Sequence, residues 1–467
     1  MLMRSTPSSQ GVASIGLLAL IEALESLPDV EPHSVMVLRH GQVIAEGWWR
    51  PYTSDRLQLL YSLSKSFTST ALGLAVAEGL VGLDDTVVSW FPELDGEVTD
   101  SGSRSIRVRH LLAMASGHDE DAIDAAKAKD PADLVRGFLL THPEHAPGSV
   151  FTYNQMCTYT VGAIVARAFG TTLTDYLRPR LLDPLGIGEV AWTRDGSGRD
   201  LGYSGLHATT EAVARLGLIY LQRGIWAGRQ LLTEEWVEEA TRSHIVTRGE
   251  ESIDWNEGYG FQFWRSRHGY RADGAYGQFC LVLPEQDVVL ALTLATNDPQ
   301  SALDAVWEHL LPAVGASTPE ADDALANKLA SLALPPVPGD PEPPAASAAQ
   351  WDGARVDLAD GPLSAVAVRR THVGWQADLF LHGEPAFAVP LSSDGWTIAH
   401  IGPEDASTPV AVSGGWSESG TLQVGVIFVE TPHRLQVACT PDAENARAHW
   451  MTEPLGDVTT LDLRAPR

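Results

Sequence analysis

Tyr61-Ser62-Leu63-Ser64-Lys65-Ser66-Phe67-Thr68-Ser69-Thr70-Ala71 opens an apolar run that continues to Glu78 and stops at Gly79. A run apolar nearly all round, ended by glycine, predicts a buried helix at 66–78, and Ser62 and Lys65 fall at its start. Residues three apart share a helix face, so the Lys65 amine can reach the Ser62 hydroxyl. The helix N-terminus favours negative charge, and burial disfavours an ammonium. A lysine that has lost its proton is a base, and the hydroxyl beside it is a candidate nucleophile. The chain has only four lysines, so a Ser-x-x-Lys pair is scarce in it. A serine cap before a surface lysine has the same spacing, and spacing alone does not separate the two readings.

Two further segments carry chemistry. Pro147-Gly148 turns the chain into an extended stretch ending Tyr153-Asn154-Gln155, just before an apolar helix. A phenol near an ammonium has a lowered pKa, so Tyr153 is expected to take the serine proton and later deliver it to a leaving group. Arg271-Ala272-Asp273-Gly274-Ala275-Tyr276-Gly277-Gln278 leads into a strand. Glycines there let an edge-strand backbone approach an acyl group closely. One strand N–H, with that of Ser62, would then form an oxyanion hole.

Working outward, residues 34–49 alternate around His40-Gly41, which predicts a β-hairpin. Periodicity predicts helices at 107–115, 130–140, 155–169, 172–182, 209–223 and 234–241, and a last one at 300–311. Strand character returns at 277–283 and 288–294 around Pro284-Glu285-Gln286-Asp287. A hairpin near the start, helices in the middle and a hairpin near the end predict an α/β (α+β) domain over 1–330. Its antiparallel sheet, built from both chain ends, is flanked by helices, with a helical subdomain covering one side. Residues 331–350 hold six prolines, a linker composition. Beyond them, period-two alternation at Trp375, Ala377, Leu379 and Leu381, and again from Leu422 to Phe428, predicts a small all-β domain over 351–467, sandwich or barrel.

The three chemistry-bearing segments, in this order, resemble the β-lactamase-related, penicillin-recognising serine hydrolases. That superfamily includes class C β-lactamases, D,D-peptidases and carboxylesterases of β-lactamase fold. The resemblance runs from residue 10 to about 312 and also rests on VRHLLAMASGH at 108–118, LRPRLLDPLGI at 177–187, GYGFQFW at 258–264 and DGAYGQF at 273–279. It implies Ser62 as acylated nucleophile, Lys65 as its partner and Tyr153 as general base and acid. The family's Tyr-x-Asn stands here as Tyr153-Asn154-Gln155, so Gln155 offers its amide to a substrate carbonyl at a longer reach. The family's basic-Thr/Ser-Gly motif is best matched by Ala272-Asp273-Gly274, without at its first position the basic residue that helps bind the carboxylate of penicillins, although Arg271 and His268 are close. Gln155, Asp273, Gly274 and Ala275 are thus the candidate substrate-binding and oxyanion set, and Asp273 suits an amine-bearing substrate. The glutamate-containing loop of class A enzymes is not evident, so deacylation falls to Tyr153 and Lys65. The C-terminal domain resembles, loosely, the lipocalin-like domain appended to some penicillin-binding-protein-type thioesterases and esterases.

The resulting expectation is a Ser62 acyl-enzyme that cleaves an ester or amide of a small molecule or short peptide. The alternatives are an acyltransferase or peptide-cyclising thioesterase, and a catalytically weak binding protein. A net charge of −28 opposes nucleic acid and anionic membrane surfaces. No zinc-like ligand spacing or glycine-rich phosphate loop occurs, so neither metal nor cofactor is expected. Cys157, Cys280 and Cys439 lie far apart and read as free buried thiols. The early apolar stretch at 12–27 is broken by Glu22 and Glu25, and no apolar run reaches 18 residues. These features together favour a cytoplasmic protein. His118, His207, Trp48, Trp49 and Trp264 read as structural residues.

Overall fold

The computed structural model describes residues 2–249, 252–358, 360–382, 387–441, 446–456 and 458–466. After helix α1 (Ser14–Ser26), the hairpin β1 (Val30–Arg39) and β2 (Gln42–Trp48) forms where the alternation placed it. Helices α2 (Ser64–Ala77), α3 (Gln155–Phe169) and α4 (Thr210–Leu221) follow, with shorter helices between them. The chain then returns as β3 (Trp264–Arg265), β4 (Tyr270–Gly274), β5 (Gln278–Leu283) and β6 (Val288–Thr296), and ends the domain with α5 (Pro299–Ala313) and α6 (Asp322–Ala330). The antiparallel sheet has the order β2-β1-β6-β5-β4-β3, so the early hairpin and the late strands of this domain pair within one sheet through β1 and β6.

Every residue of β6 is buried, because helices cover both faces. Val35, Val37, Leu281 and Leu290 pack with α1 and α5. Met36, Leu38, Val282 and Val289 pack with α2, α3 and α4 on the other face. Alternate strand residues point to opposite faces, which divides the apolar side chains into these two cores. Gly217 lets α4 lie close on the sheet, since a Cβ there would come within 2.6 Å of Val289 Cγ1.

α3 matches its expected span: the Asn154 side chain caps Met156 N and Gly170 ends the helix at φ 70°. Three other helices differ. The one expected at 107–115 stops at Leu112, and Met114 takes φ 54°. The one expected at 130–140 starts only at Leu134, capped by Asp133, and a separate helix, Ile123–Lys129, precedes it. The one expected at 172–182 widens into a π turn at Arg178–Leu182, where Pro179 removes a backbone donor.

The C-terminal region is a meander in two antiparallel sheets. One is β7 (Ala354–Asp357), β8 (Leu363–Thr371), β9 (Gly374–Leu381) and β10 (Phe387–Leu391). The other is β11 (Thr397–Ile401), β12 (Thr408–Trp416), β13 (Leu422–Phe428), β14 (Arg434–Cys439) and β15 (Arg447–Trp450). Trp351, Trp375, Trp416, Leu379 and Val412 fill the space between the sheets. The Pro-rich stretch is bonded along its length to both domains. Leu334 N donates to Arg50 O at 2.8 Å, and Arg50 N donates to Leu332 O at 3.1 Å. Val337 N reaches Ser413 Oγ at 3.0 Å, and Asp340 exchanges backbone bonds with Trp416. Proline's fixed φ suits an extended strap as well as a spacer, so composition alone does not separate the two. The meander docks through Gln58 Nε2 to Val429 O (2.6 Å), Leu59 N to Glu430 O (2.9 Å) and a largely buried Arg434–Glu31 ion pair (2.5 Å).

Candidate active site

Gln58 and Leu59 pair with a short strand at Leu206–Ala208, and the chain then turns sharply through Tyr61 into α2. Ser64 pins this entry: its Oγ donates to Tyr61 O at 2.6 Å and accepts from Leu206 N at 3.0 Å. α2 is buried from Ser64 to Ala75, so each polar side chain on it needs a partner. Ser66, Thr68 and Ser69 donate to the carbonyls of Gln262, Gly202 and Phe261. Ser62, one residue before the buried stretch, stays partly exposed.

Lys65 is 1 % exposed, and its Nζ lies 2.9 Å from Ser62 Oγ, 2.7 Å from Gln155 Oε1 and 2.8 Å from Tyr203 O. These three acceptors are uncharged. Burial therefore dominates and pulls the Lys65 pKa down to about 7, against weaker attraction from Asp121 and Asp273. A large share of the amine is free of its proton near neutral pH, beside a hydroxyl that can lose one. Gln155 thus turns its amide oxygen to Lys65; a substrate carbonyl, to which the sequence reading assigned that amide, would meet its Nε2 donor instead. Asp121 fixes the start of α3 from outside by accepting from Gln155 N at 3.0 Å.

Tyr153 lies beside Ser62, as the sequence reading expected, with its ring 4.7 Å from Lys65 Nζ. It stacks on Trp264 at 5.7 Å, which makes that tryptophan a wall of the site. The expectation for its proton is corrected. Burial and the nearby Asp273 raise the phenol pKa above its ordinary value. The expected lowering needs a full ammonium alongside, and Lys65 is only partly charged. Tyr153 therefore stays a neutral phenol, fit to donate a proton and not to take one in the resting state.

β4 forms the opposite wall. A Cβ on Gly274 would lie 2.1 Å from Leu60 O and 3.1 Å from Leu63 N, so only glycine lets this strand lie against the Ser62 turn. Ala275 follows in the turn to β5. Asp273 is engaged by its own strand: Arg271 Nε donates to its Oδ2 at 2.9 Å, and their side chains are 0 % and 9 % exposed. Arg271 also bonds Asp254 O, Arg265 O and Ser266 Oγ, and lies 4.2 Å from the Trp255 ring. The charge that suggested an amine-bearing substrate is thus already matched within the protein.

His118 holds Ser116 Oγ and Thr141 O, and His207 bonds Gly205 O, both structural arrangements. The three cysteines are free and buried. Among the described residues no three His, Cys, Asp or Glu side chains gather as a metal-binding group, and no helix is long and apolar enough to cross a membrane. The sequence reading missed Tyr203 and Asp121. Asp121 is one of many acidic residues, and Tyr203 acts through a backbone carbonyl, so neither leaves a mark in residue type.

A family model described as Beta-lactamase matches residues 22–313. The 6-aminohexanoate-dimer hydrolase of Paenarthrobacter ureafaciens is 27% identical over 307 residues, which covers 59% of this chain and 77% of that protein. The solved structure of EstCE1, titled a hydrolase with promiscuous acyltransferase activity, aligns at TM-score 0.53 and 17% identity over 63% of this chain and 99% of its own. A structure of SurE with D-Leu aligns at TM-score 0.50 and 20% identity over 90% of this chain and 97% of its own. These two structural likenesses are of fold.

Proposed function

The chain belongs to the beta-lactamase family, and from that premise we propose that it is a serine hydrolase that cleaves an ester or amide through an acyl-enzyme on Ser62. The observation that carries this reading is the Lys65 amine, 2.9 Å from Ser62 Oγ and with its pKa drawn down to about 7. As Ser62 Oγ attacks the substrate carbonyl carbon, its proton passes to Lys65 Nζ. The carbonyl oxygen takes up negative charge, for which the backbone N–H groups of Ser62 and Ala275 are the donors. When the tetrahedral intermediate collapses, Tyr153 gives its phenolic proton to the departing alcohol or amine and recovers one from the Lys65 ammonium. Water then attacks the acyl-enzyme, loses a proton to this pair, and Ser62 leaves with a proton returned.

The substrate class follows from β4. Arg271 is committed to Asp273 and to three further oxygens. Its remaining Nη2 is buried without a partner, so the guanidinium is enclosed in the wall with its charge already facing Asp273, and esters or amides without a carboxylate are favoured over penicillins. A fluorophosphonate probe and p-nitrophenyl acetate test the reading. The unmutated protein should be labelled and give a burst of nitrophenol, and Ser62→Ala should do neither. Labelling that survives the substitution would remove Ser62 from the role. Hydrolysis of nitrocefin at a rate matching the ester would overturn the substrate class.

A further inference from the structure

Tyr61, the residue before Ser62, sits in the left-handed region at φ 47°. A bulky L-residue is strained there and stays only where its surroundings hold it. The restraint comes from the C-terminal domain. The Tyr61 hydroxyl lies 2.6 Å from His433 Nε2. On the far side of the imidazole, His433 Nδ1 is 2.9 Å from Thr452 O. A carbonyl only accepts, so Nδ1 carries the ring proton and Nε2 is left as an acceptor. The tyrosine O–H therefore donates to His433, and no other direction satisfies both bonds.

His433 is 0 % exposed, with Tyr276 and Trp450 packed edge-on at 5.6 and 6.3 Å. Burial keeps the ring neutral by lowering its pKa to about 4. The Tyr276 hydroxyl in turn donates to Glu453 O. Both the Ser62 turn and the turn after Gly274 are thus tied to one pair of C-terminal loops.

We propose that His433 is a positioning residue for Ser62: by accepting the Tyr61 O–H it holds the left-handed turn, and so aims the Ser62 hydroxyl and N–H at the substrate carbonyl. The inference rests on Ser62 being the nucleophile proposed above. It assigns the C-terminal domain a part in the site's geometry, beyond packing against it.

The test uses the full chain, with p-nitrophenyl acetate and the fluorophosphonate as probes. His433→Phe keeps the ring volume and removes the acceptor, and Tyr61→Phe removes the donor. Small displacements at a reacting centre are costly, so each should slow the burst by about ten-fold with KM held within about two-fold. Because both remove one bond, the double variant should be no slower than the slower single one. His433→Gln, which restores an acceptor, should recover most of the rate. A folded His433→Phe with the wild-type burst rate overturns the proposal, as do losses that multiply in the double variant. Should His433→Phe fail to fold, Tyr61→Phe, which leaves the histidine in place, decides between the outcomes alone. Absence of labelling in the wild type would sink the Ser62 reading itself. Normal wild-type labelling with an unaffected Tyr61→Phe would sink only this inference.

Discussion

Two buried cations flank the candidate site, one on the helix side and one on the strand side, and they are solved differently. Lys65 has three neutral oxygens around it and no bonded carboxylate in its set of contacts. Arg271 is just as buried but has Asp273 at 2.9 Å. Desolvation acts on both and pulls both pKa values down. A lysine deprived of a counter-ion can give up its proton within the physiological range, whereas a guanidinium starts too high to do so. The difference between a reactive amine and a structural charge at this site therefore lies in side-chain type and in a single carboxylate.

The comparison is open to direct attack. Its largest expected effect is on rate. Lys65→Arg keeps the positive charge and cannot release a proton near neutrality, so the p-nitrophenyl acetate burst should slow by about 10³- to 10⁴-fold. A burst within ten-fold of wild type would mean that Lys65 acts only through its charge. Next, Arg271→Met leaves Asp273 buried and unpaired, and should destabilise the fold by about 3–5 kcal/mol in urea denaturation.

A third effect is the pH profile. In the proposed mechanism neutral Lys65 is the active form, so the acylation rate should fall about ten-fold per unit below pH 7 and level off above it, following a pKa of about 7. A rate independent of pH from 5 to 9 would separate the amine from the chemistry. The smallest effect is one of opposite sign: Lys65→Met should raise stability at pH 7, by about 1–2 kcal/mol. The unfolded chain binds more protons than the folded one wherever the folded pKa is depressed, so wild-type stability rises with pH above 7. The gap to Lys65→Met should therefore narrow toward lysine's ordinary pKa. If Lys65→Met and Arg271→Met destabilise alike, the two cations do not differ as described.

Much of the site was legible because its parts are local. Ser62 and Lys65 sit three residues apart at a helix start, and helical geometry brings them together wherever the helix is placed. The hairpin at the start, α3 with its Asn154 cap and Gly170 stop, and the return strands are likewise written in short-range pattern. The pairing of Arg271 with Asp273 was readable too, since residues two apart share a strand face, but the sequence reading took Arg271 only as a basic residue near the motif and not as the partner of Asp273.

Sequence by itself thus placed Ser62 and Lys65 on one face at a helix start, and it determined the sheet built from both ends of the first domain and the change to period two near the C-terminus. Tertiary structure alone decided the protonation. Lys65 meets Gln155 and Tyr203, 90 and 138 residues away, and only their neutral oxygens together with full burial set its pKa. It also decided that Tyr153 keeps its proton, and that a histidine 372 residues from Tyr61 holds the turn before Ser62. A pKa depends on what surrounds a group in three dimensions, whereas spacing along a helix depends only on the chain.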